Sequence, residues 1–402
     1  MKKDRSVLVL TTSFPTSFSS AAGLFVFEKC RYLAKNNIRV KVIAPGHAGE
    51  KRKEIINGIS VKRFGYFFPA KLQRLAYGAG IPANLKTSFL AKIQLPIFLL
   101  AFFISTLNEV RHYKIIHCHW SLAGLVGVIA AKLFNKKIVL MMHGAEVFVL
   151  GDNPVLKFLL RNVDFLISNS TYTEEKTLKV HPVKNHAVIS PGVDIERYCP
   201  QFKSSNLREK LNIAEFEVFV LAIGNFIQRK GFENLIQALN IIVNQKGINT
   251  IKLGIGGRGP LRSKYENMVK TYSLTNYITF LGFINAKEMP SYYTQADIFV
   301  LPSIIDEKGD TEGLGVVLLE ANACKTPLIG SRVGGITDII QDGVNGLTVA
   351  QKDPVDLAEK IITLAADQNL RIEMGENGRK LVEANFNWDA IAQKIINVYN
   401  QL

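Results

Sequence analysis

Short apolar runs alternate with amphipathic stretches of helical length twice along this chain, and the turn-rich segment 191–200 (PGVDIERYCP) separates the two series. In the first series, strands are expected at 6–10, 40–44, 115–117, 138–142, 164–168 and 187–189, with helices at 25–35 and 123–133. In the second, strands are expected at 218–223, 251–254, 278–280, 298–301, 327–330 and 346–349, with helices at 232–244, 261–271, 288–295 and 316–324. Runs that are apolar throughout, rather than at alternate positions, belong to strands covered on both faces, so each series implies a parallel sheet between layers of helices. At 402 residues the chain is also too long for one ordinary core. Ligands of such sheets lie beyond the carboxyl ends of the strands, with a cleft between the two halves as the expected site.

Hydrophobic content of 48% and charged content of 21% are those of a globular chain. The four cysteines (Cys30, Cys118, Cys199, Cys324) are scattered and form no CxxC, which argues against a disulfide framework or zinc site and for a reducing cytoplasm. The opening MKKDRSVLVL lacks the apolar core and cleavage site of a signal peptide. The net charge of +15 is uneven: residues 1–200 hold 28 Lys+Arg against 12 Asp+Glu, and residues 201–402 hold 21 against 22. An anionic partner for the first half is one reading of that excess, and a merely soluble basic surface is the other. Between the two anionic partners, an acidic membrane is favoured, because no nucleic-acid-binding motif accompanies the charge.

Residues 64–107 break the alternation. The apolar run 95–107 has 13 residues and contains Pro96, short of the roughly 20 a membrane-spanning helix needs. Lys62, Arg63, Lys71, Arg74, Lys86 and Lys92 flank it among aromatics. Either this segment lies on a membrane surface, or it is a buried core helix with a basic loop.

The chemistry-bearing stretch is 309–327, GDTEGLGVVLLEANACKTP. Gly313 and Gly315 suit a tight loop, and the helix that follows would present free amides and a positive dipole end to an anion. Glu312 and Glu320, eight residues apart, would be roughly 12 Å apart if every step were helical. That is too far for a general acid/base pair on one bond. It fits a ligand gripped at both ends by its hydroxyls with a charged middle, the shape of a nucleoside-diphosphate sugar. Two surface glutamates on an amphipathic helix fit the spacing as well.

Other motifs carry less. Gly254, Gly256 and Gly259 match GxGxxG, but no acidic residue follows about 20 positions later, so a turn lining a nucleotide site is preferred to a dinucleotide fold. In 224–231, GNFIQRKG, Arg229 and Lys230 follow a strand and would neutralise a diphosphate, unless they are simply solvated. His143 in LMMHGAE ends a strand and could meet a sugar hydroxyl or be structural. The imidazoles of HCHW (His117, His119) are expected to face opposite ways and not to share an ion, and the chain contains no DxD pair.

Together these segments resemble glycosyltransferase family 4, retaining enzymes of the GT-B fold with two Rossmann-like doubly wound domains facing across a cleft. The resemblance runs nearly end to end: SFP…GLFVFEK, HCHW, HGAE, PGVDIERY, RKGFENLIQAL, GGRGP, FLGFI, ADIFVLPS, EGLGVVLLEANACKTP, GGITDIIQDGVNGL and FNWDAIAQKIINVY. The GDTEG version is similar to that of bacterial teichuronic acid, capsule or lipopolysaccharide-type transferases. The resemblance implies an acceptor-binding domain at 1–195, a nucleotide-sugar-binding domain at 196–385, and a C-terminal helix at 386–402 packing back on the first domain. It implies that Glu312 binds the donor sugar beside His143, and that Glu320 binds the ribose. Amides near Leu314, Gly315 and Val316, with Lys230 and Arg229, would take the diphosphate. Gly23 would let the first loop approach the phosphates, and backbone at Phe283 and Ile284 would meet the base. Glu312, His143 and Lys230 are the catalytic candidates. Asn225 stands where the family has arginine, and Ala22–Gly23 where it has two glycines. The expected activity is metal-independent transfer from a nucleotide-sugar, a UDP-sugar by preference, to a lipid-linked or polysaccharide acceptor at the inner face of the cell membrane. A nucleotide-sugar 2-epimerase is the alternative, and neither a cofactor nor nucleic acid is expected.

Overall fold

A computed structural model describes residues 6–15, 23–78, 80–144, 146–147, 151, 153–201 and 206–402. The chain forms two compact units, Met1–Pro191 with Trp388–Leu402, and Gly192–Asn387.

Among the described residues the first unit holds an eight-stranded sheet. Its strands are β1 (Ser6–Thr11), β2 (Arg39–Pro45), β3 (Lys53–Ile56), β4 (Ile59–Phe64), β5 (Ile115–His119), β6 (Lys137–Met142), β7 (Phe165–Ser168) and β8 (His186–Val188), in the order β3-β4-β2-β1-β5-β6-β7-β8. Only β3 runs antiparallel, to β4. Strand β1 shows why an all-apolar run is needed. Val7 and Val9 join the core beneath the helices Leu24–Lys35 and Trp388–Gln401, while Leu8 and Leu10 join the core beneath Phe89–Val110 and Ser121–Phe134. Each such side chain contributes on the order of 1.5–3 kcal/mol by leaving water.

The second unit repeats the plan with six strands among the described residues: β9 (Val218–Ile223), β10 (Ile251–Gly256), β11 (Ile278–Gly282), β12 (Ile298–Leu301), β13 (Leu328–Ser331) and β14 (Gly346–Val349). All are parallel, in the order β11-β10-β9-β12-β13-β14. Val218, Val220 and Ala222 of β9 face one core, and Phe219, Leu221 and Ile223 the other. In both units the chain winds outward from a first strand and then restarts on its other side. The resulting switch points lie between β1 and β5 and between β9 and β12, where open parallel sheets hold their ligands.

Three sequence expectations need correction. The β3–β4 hairpin was not anticipated, although its two-residue turn, Asn57 and Gly58 with φ of 47° and 79°, is a pairing that favours hairpins. The apolar run at 95–107 belongs to a 22-residue helix, Phe89–Val110, which is long and apolar enough to cross a membrane by length and composition. It continues through Pro96 because that residue lies on the exposed face, where water can take the carbonyl that loses its partner. Ala91, Gln94, Phe98, Phe102, Thr106 and Val110 are buried, so one side of this helix is committed to the sheet. Finally, the helix expected at 232–244 stops at Asn240 and passes into a π-helical turn, Ile241–Gln245.

Candidate active site

The second unit's site is built on the loops after β9 and β12, at the switch point. Beyond β9 the chain turns at Gly231, whose φ is 66° and where a Cβ would come within 1.9 Å of the Pro302 carbonyl oxygen. The Ile304 amide donates to the Arg229 carbonyl at 2.8 Å, fixing the two loops together. The GGRGP turn presses on the same loop. A Cβ at Gly257 would meet the Gly224 oxygen at 1.8 Å, and one at Gly259 the Phe226 backbone at 2.5 Å. Gly257 and Gly259 therefore serve loop-on-loop packing, while Gly254 and Gly256 leave room for the Phe219 and Ile284 side chains.

These contacts set two cations on one carboxylate. Lys230 Nζ pairs with Glu312 Oε2, and Arg229 Nη1 reaches the same oxygen at 3.4 Å while also donating to the Thr311 carbonyl at 3.3 Å. Arg229 Nε lies 3.4 Å from Asp310, a partner the sequence did not reveal. Glu312 is only 9% exposed. Burial by itself would push its carboxyl up, but the Lys230 and Arg229 charges and hydrogen bonds outweigh it and hold the group below the usual carboxylate range. The Gly335 amide donates to the Glu312 carbonyl at 3.1 Å, anchoring the loop from β13.

Glu312 precedes the helix instead of starting it. Gly315, with φ of 88°, is the N-cap of Val316–Ala323 and has no side chain to occupy the first amides. The fully helical path from Glu312 to Glu320 is thus replaced by a loop and one helical turn. Leu314 is buried and Val316 exposed on either side of this start. Glu320 accepts from Tyr293 Oη at 2.7 Å and is also hydrogen-bonded by Tyr198. Burial raises its carboxyl despite these hydroxyls, so the two glutamates carry opposite shifts. Farther along the carboxyl edge, Ile284 is buried against Gly256, and the exposed Phe283 ring lies under the Arg258 guanidinium at 4.1 Å. Asn225 is exposed.

Gly23 and His143 lie in the first unit, and every other candidate lies in the second. Gly23, with φ of 75°, precedes the helix Leu24–Lys35, and a Cβ there would meet the Ser13 carbonyl oxygen at 2.6 Å. Its own loop therefore already demands glycine. Ala22 lies outside the described residues. His143 follows β6 and is surrounded by Phe25, Trp120 and His119, with ring centroids at 4.9, 4.8 and 5.3 Å. His119 Nδ1 and His143 Nε2 are 3.1 Å apart, and His117 Nδ1 meets Tyr399 Oη at 2.6 Å. The expectation that His117 and His119 face opposite ways is wrong. Residues two apart on a strand share a face, and these rings stack at 4.8 Å.

Burial, with Lys29 and His117 nearby, holds His143 well below the usual imidazole range, so its ring is neutral. Burial pushes Glu146 up to about 7, although the His143 amide donates to it at 3.2 Å. From the sequence His119 was weighed only as a metal ligand, and Glu146 was not singled out. The HCHW and HGAE runs contained both, and what was missing was the same-face pairing across β5 and β6. Among the described residues no cluster of His, Cys, Asp and Glu could hold a metal ion.

Two α/β units of mainly parallel strands, one carrying paired cations and an uncapped helix start at its switch point, make up a two-domain Rossmann-like architecture. The chain belongs to glycosyltransferase family 4 and is a glycosyltransferase of the GT-B fold. The family model described as "Glycosyltransferase Family 4" matches residues 22–197, and that described as "Glycosyl transferases group 1" matches residues 203–381. Over 298 residues the chain is 30% identical to the N-acetyl-alpha-D-glucosaminyl L-malate synthase of Bacillus anthracis, covering 72% of this chain and 75% of that one. Over 273 residues it is 30% identical to the GDP-mannose-dependent alpha-(1-6)-phosphatidylinositol monomannoside mannosyltransferase of Mycolicibacterium smegmatis, covering 66% and 70%. The solved structure of sucrose-phosphate synthase from Thermosynechococcus elongatus is similar, with a TM-score of 0.78, 26% identity and coverage of 99% and 98%.

Proposed function

We propose that this enzyme transfers a sugar, with retained anomeric configuration, from a UDP-sugar to a hydroxyl of a lipid-linked or polysaccharide acceptor in cell-envelope glycan synthesis. The supporting observation is the Arg229–Lys230–Glu312 cluster beside the open amides at Val316. On donor binding, the two cations and the helix start take the diphosphate, while Glu312 accepts from sugar hydroxyls and Glu320 from the ribose. His143 supplies a neutral ring to the sugar, Phe283 and Ile284 border the base, and the first unit receives the acceptor. As the bond from the anomeric carbon to the β-phosphate oxygen breaks, its electron pair passes to that oxygen. The acceptor oxygen bonds to the anomeric carbon from the same face, and its proton goes to the departing phosphate. Charge stabilisation by Arg229, Lys230 and oriented amides supplies the rate enhancement.

This scheme assigns no role to a metal, so activity should survive EDTA. We place the enzyme in the cytoplasm, peripheral at the inner membrane face. The test is a panel of UDP-, GDP- and dTDP-sugars, scored first by thermal stabilisation and then by turnover. UDP release that depends on acceptor supports transfer. Epimerisation of donor alone would replace it with the epimerase reading, and preference for GDP-mannose, the donor named for the Mycolicibacterium relative, would overturn the choice of base.

A further inference from the structure

The outward face of Phe89–Val110 is apolar where a surface helix should be polar. Phe89, Ile93, Ile97, Leu100 and Ile104 are all exposed, opposite the buried face. At 3.6 residues per turn they fall within an arc of about 80° and run ~22 Å along the axis. Gln94 straps a second exposed segment to the same helix, accepting from the Arg74 amide at 2.9 Å and donating to the Leu72 carbonyl at 2.7 Å. That segment carries Phe68, 91% exposed, beside the exposed Lys71 and Arg74.

Ile104 and Ser105 also form one wall of a basic pocket whose other walls include Arg52, Lys53, Lys62 and Arg63. Lys53 and Lys62 are directly opposite in the β3–β4 hairpin, a pairing in which like charges repel. Carboxylates cancel only part of this charge. Lys62 shares Glu109 with Lys41, each at 3.0 Å, and Arg63 takes Glu54 at 2.9 Å and Glu50 at 3.8 Å. Among the described residues Arg52 and Lys53 have no ion pair.

We propose that this face docks on a bilayer rich in anionic phospholipid, with the apolar stripe at the head-group boundary and a lipid phosphate between Arg52, Lys53 and Lys62. The proposal rests on the peripheral-membrane reading above and names its surface. Pairing with a second copy through the same patch would bring two like-charged pockets together, whereas an anionic surface satisfies charge and apolar area at once.

Co-sedimentation of the full chain with vesicles tests it, using phosphatidylcholine alone and phosphatidylcholine mixed with phosphatidylglycerol. Binding should require phosphatidylglycerol and weaken with salt. Each basic side chain near such a surface is worth about fivefold in partition, so the double substitution Arg52→Glu, Lys53→Glu should lower binding roughly 25-fold or more. Leu100→Ser with Ile104→Ser should lower it as well. Both variants should keep the thermal stabilisation by UDP expected of the wild type, which would show intact folding and separates failure here from failure of the donor-site reading. Wild-type protein that ignores both vesicles, or binds phosphatidylcholine alone equally well, overturns the proposal. So does a dimer in sedimentation equilibrium that the apolar substitutions dissolve while vesicle binding persists.

Discussion

Glu312 is a buried carboxylate whose charge is tolerable only because Lys230 and Arg229 face it. Removing one partner of such a pair costs about 3–5 kcal/mol, while replacing both with neutral groups of similar shape costs far less. Lys230→Met should therefore lower the Tm sharply, and Lys230→Met with Glu312→Gln should recover most of that loss in the same melt while remaining inactive. Glu312→Gln alone should lower kcat/KM roughly 10²–10³-fold, equivalent to about 3–4 kcal/mol, in a donor-saturation assay. Glu146 gives a second handle. Its carboxyl titrates near 7 in the folded chain and near 4.3 when unfolded, so between those values the folded state holds the extra proton and stability falls as pH rises. Glu146→Gln should accordingly gain stability over wild type as pH climbs through that window, by at most on the order of 3 kcal/mol, and gain nothing further above it.

At the level of elements, the strands were legible because apolar runs such as 218–223 admit few other fates. The loops that carry the chemistry were legible only in part. GNFIQRKG and TEGLG identify Lys230 and Glu312 as candidates, yet nothing local says that they meet across 82 residues. Tyr293 and Tyr198 are likewise brought to hydrogen-bond Glu320 only by the tertiary fold. The long helix was misjudged because its outward apolar side chains hide the four-residue spacing of the buried ones. Loop geometry itself depends on glycine. Gly231→Ala would force the loop off the Pro302 carbonyl and displace Arg229 and Lys230. A several-fold rise in KM for donor, with the fold retained by circular dichroism, is the expected result.

On the scale of the whole molecule, the sequence carried the twofold plan and the uneven charge. The boundary near 191–200 was read from the break in the pattern and the returning C-terminal segment from family likeness, and contacts now divide the chain at Pro191 and Trp388. The segment Trp388–Gln401 buries Trp388, Ile391, Ala392, Ile395, Ile396 and Val398 in the core of the first unit, with Trp388 stacked on Tyr32 at 6.3 Å. Ending the chain at Asn387 should uncover that core, and most of the product should be recovered as aggregate after centrifugation.

That same helix dictates a timetable during synthesis. The second unit is one continuous stretch and can close as soon as it clears the ribosome, whereas the first, though translated earlier, lacks a covering layer until Trp388–Gln401 has also been made. While residues 192–387 are being translated, the first unit keeps apolar surface uncovered, a period in which chaperones have something to hold.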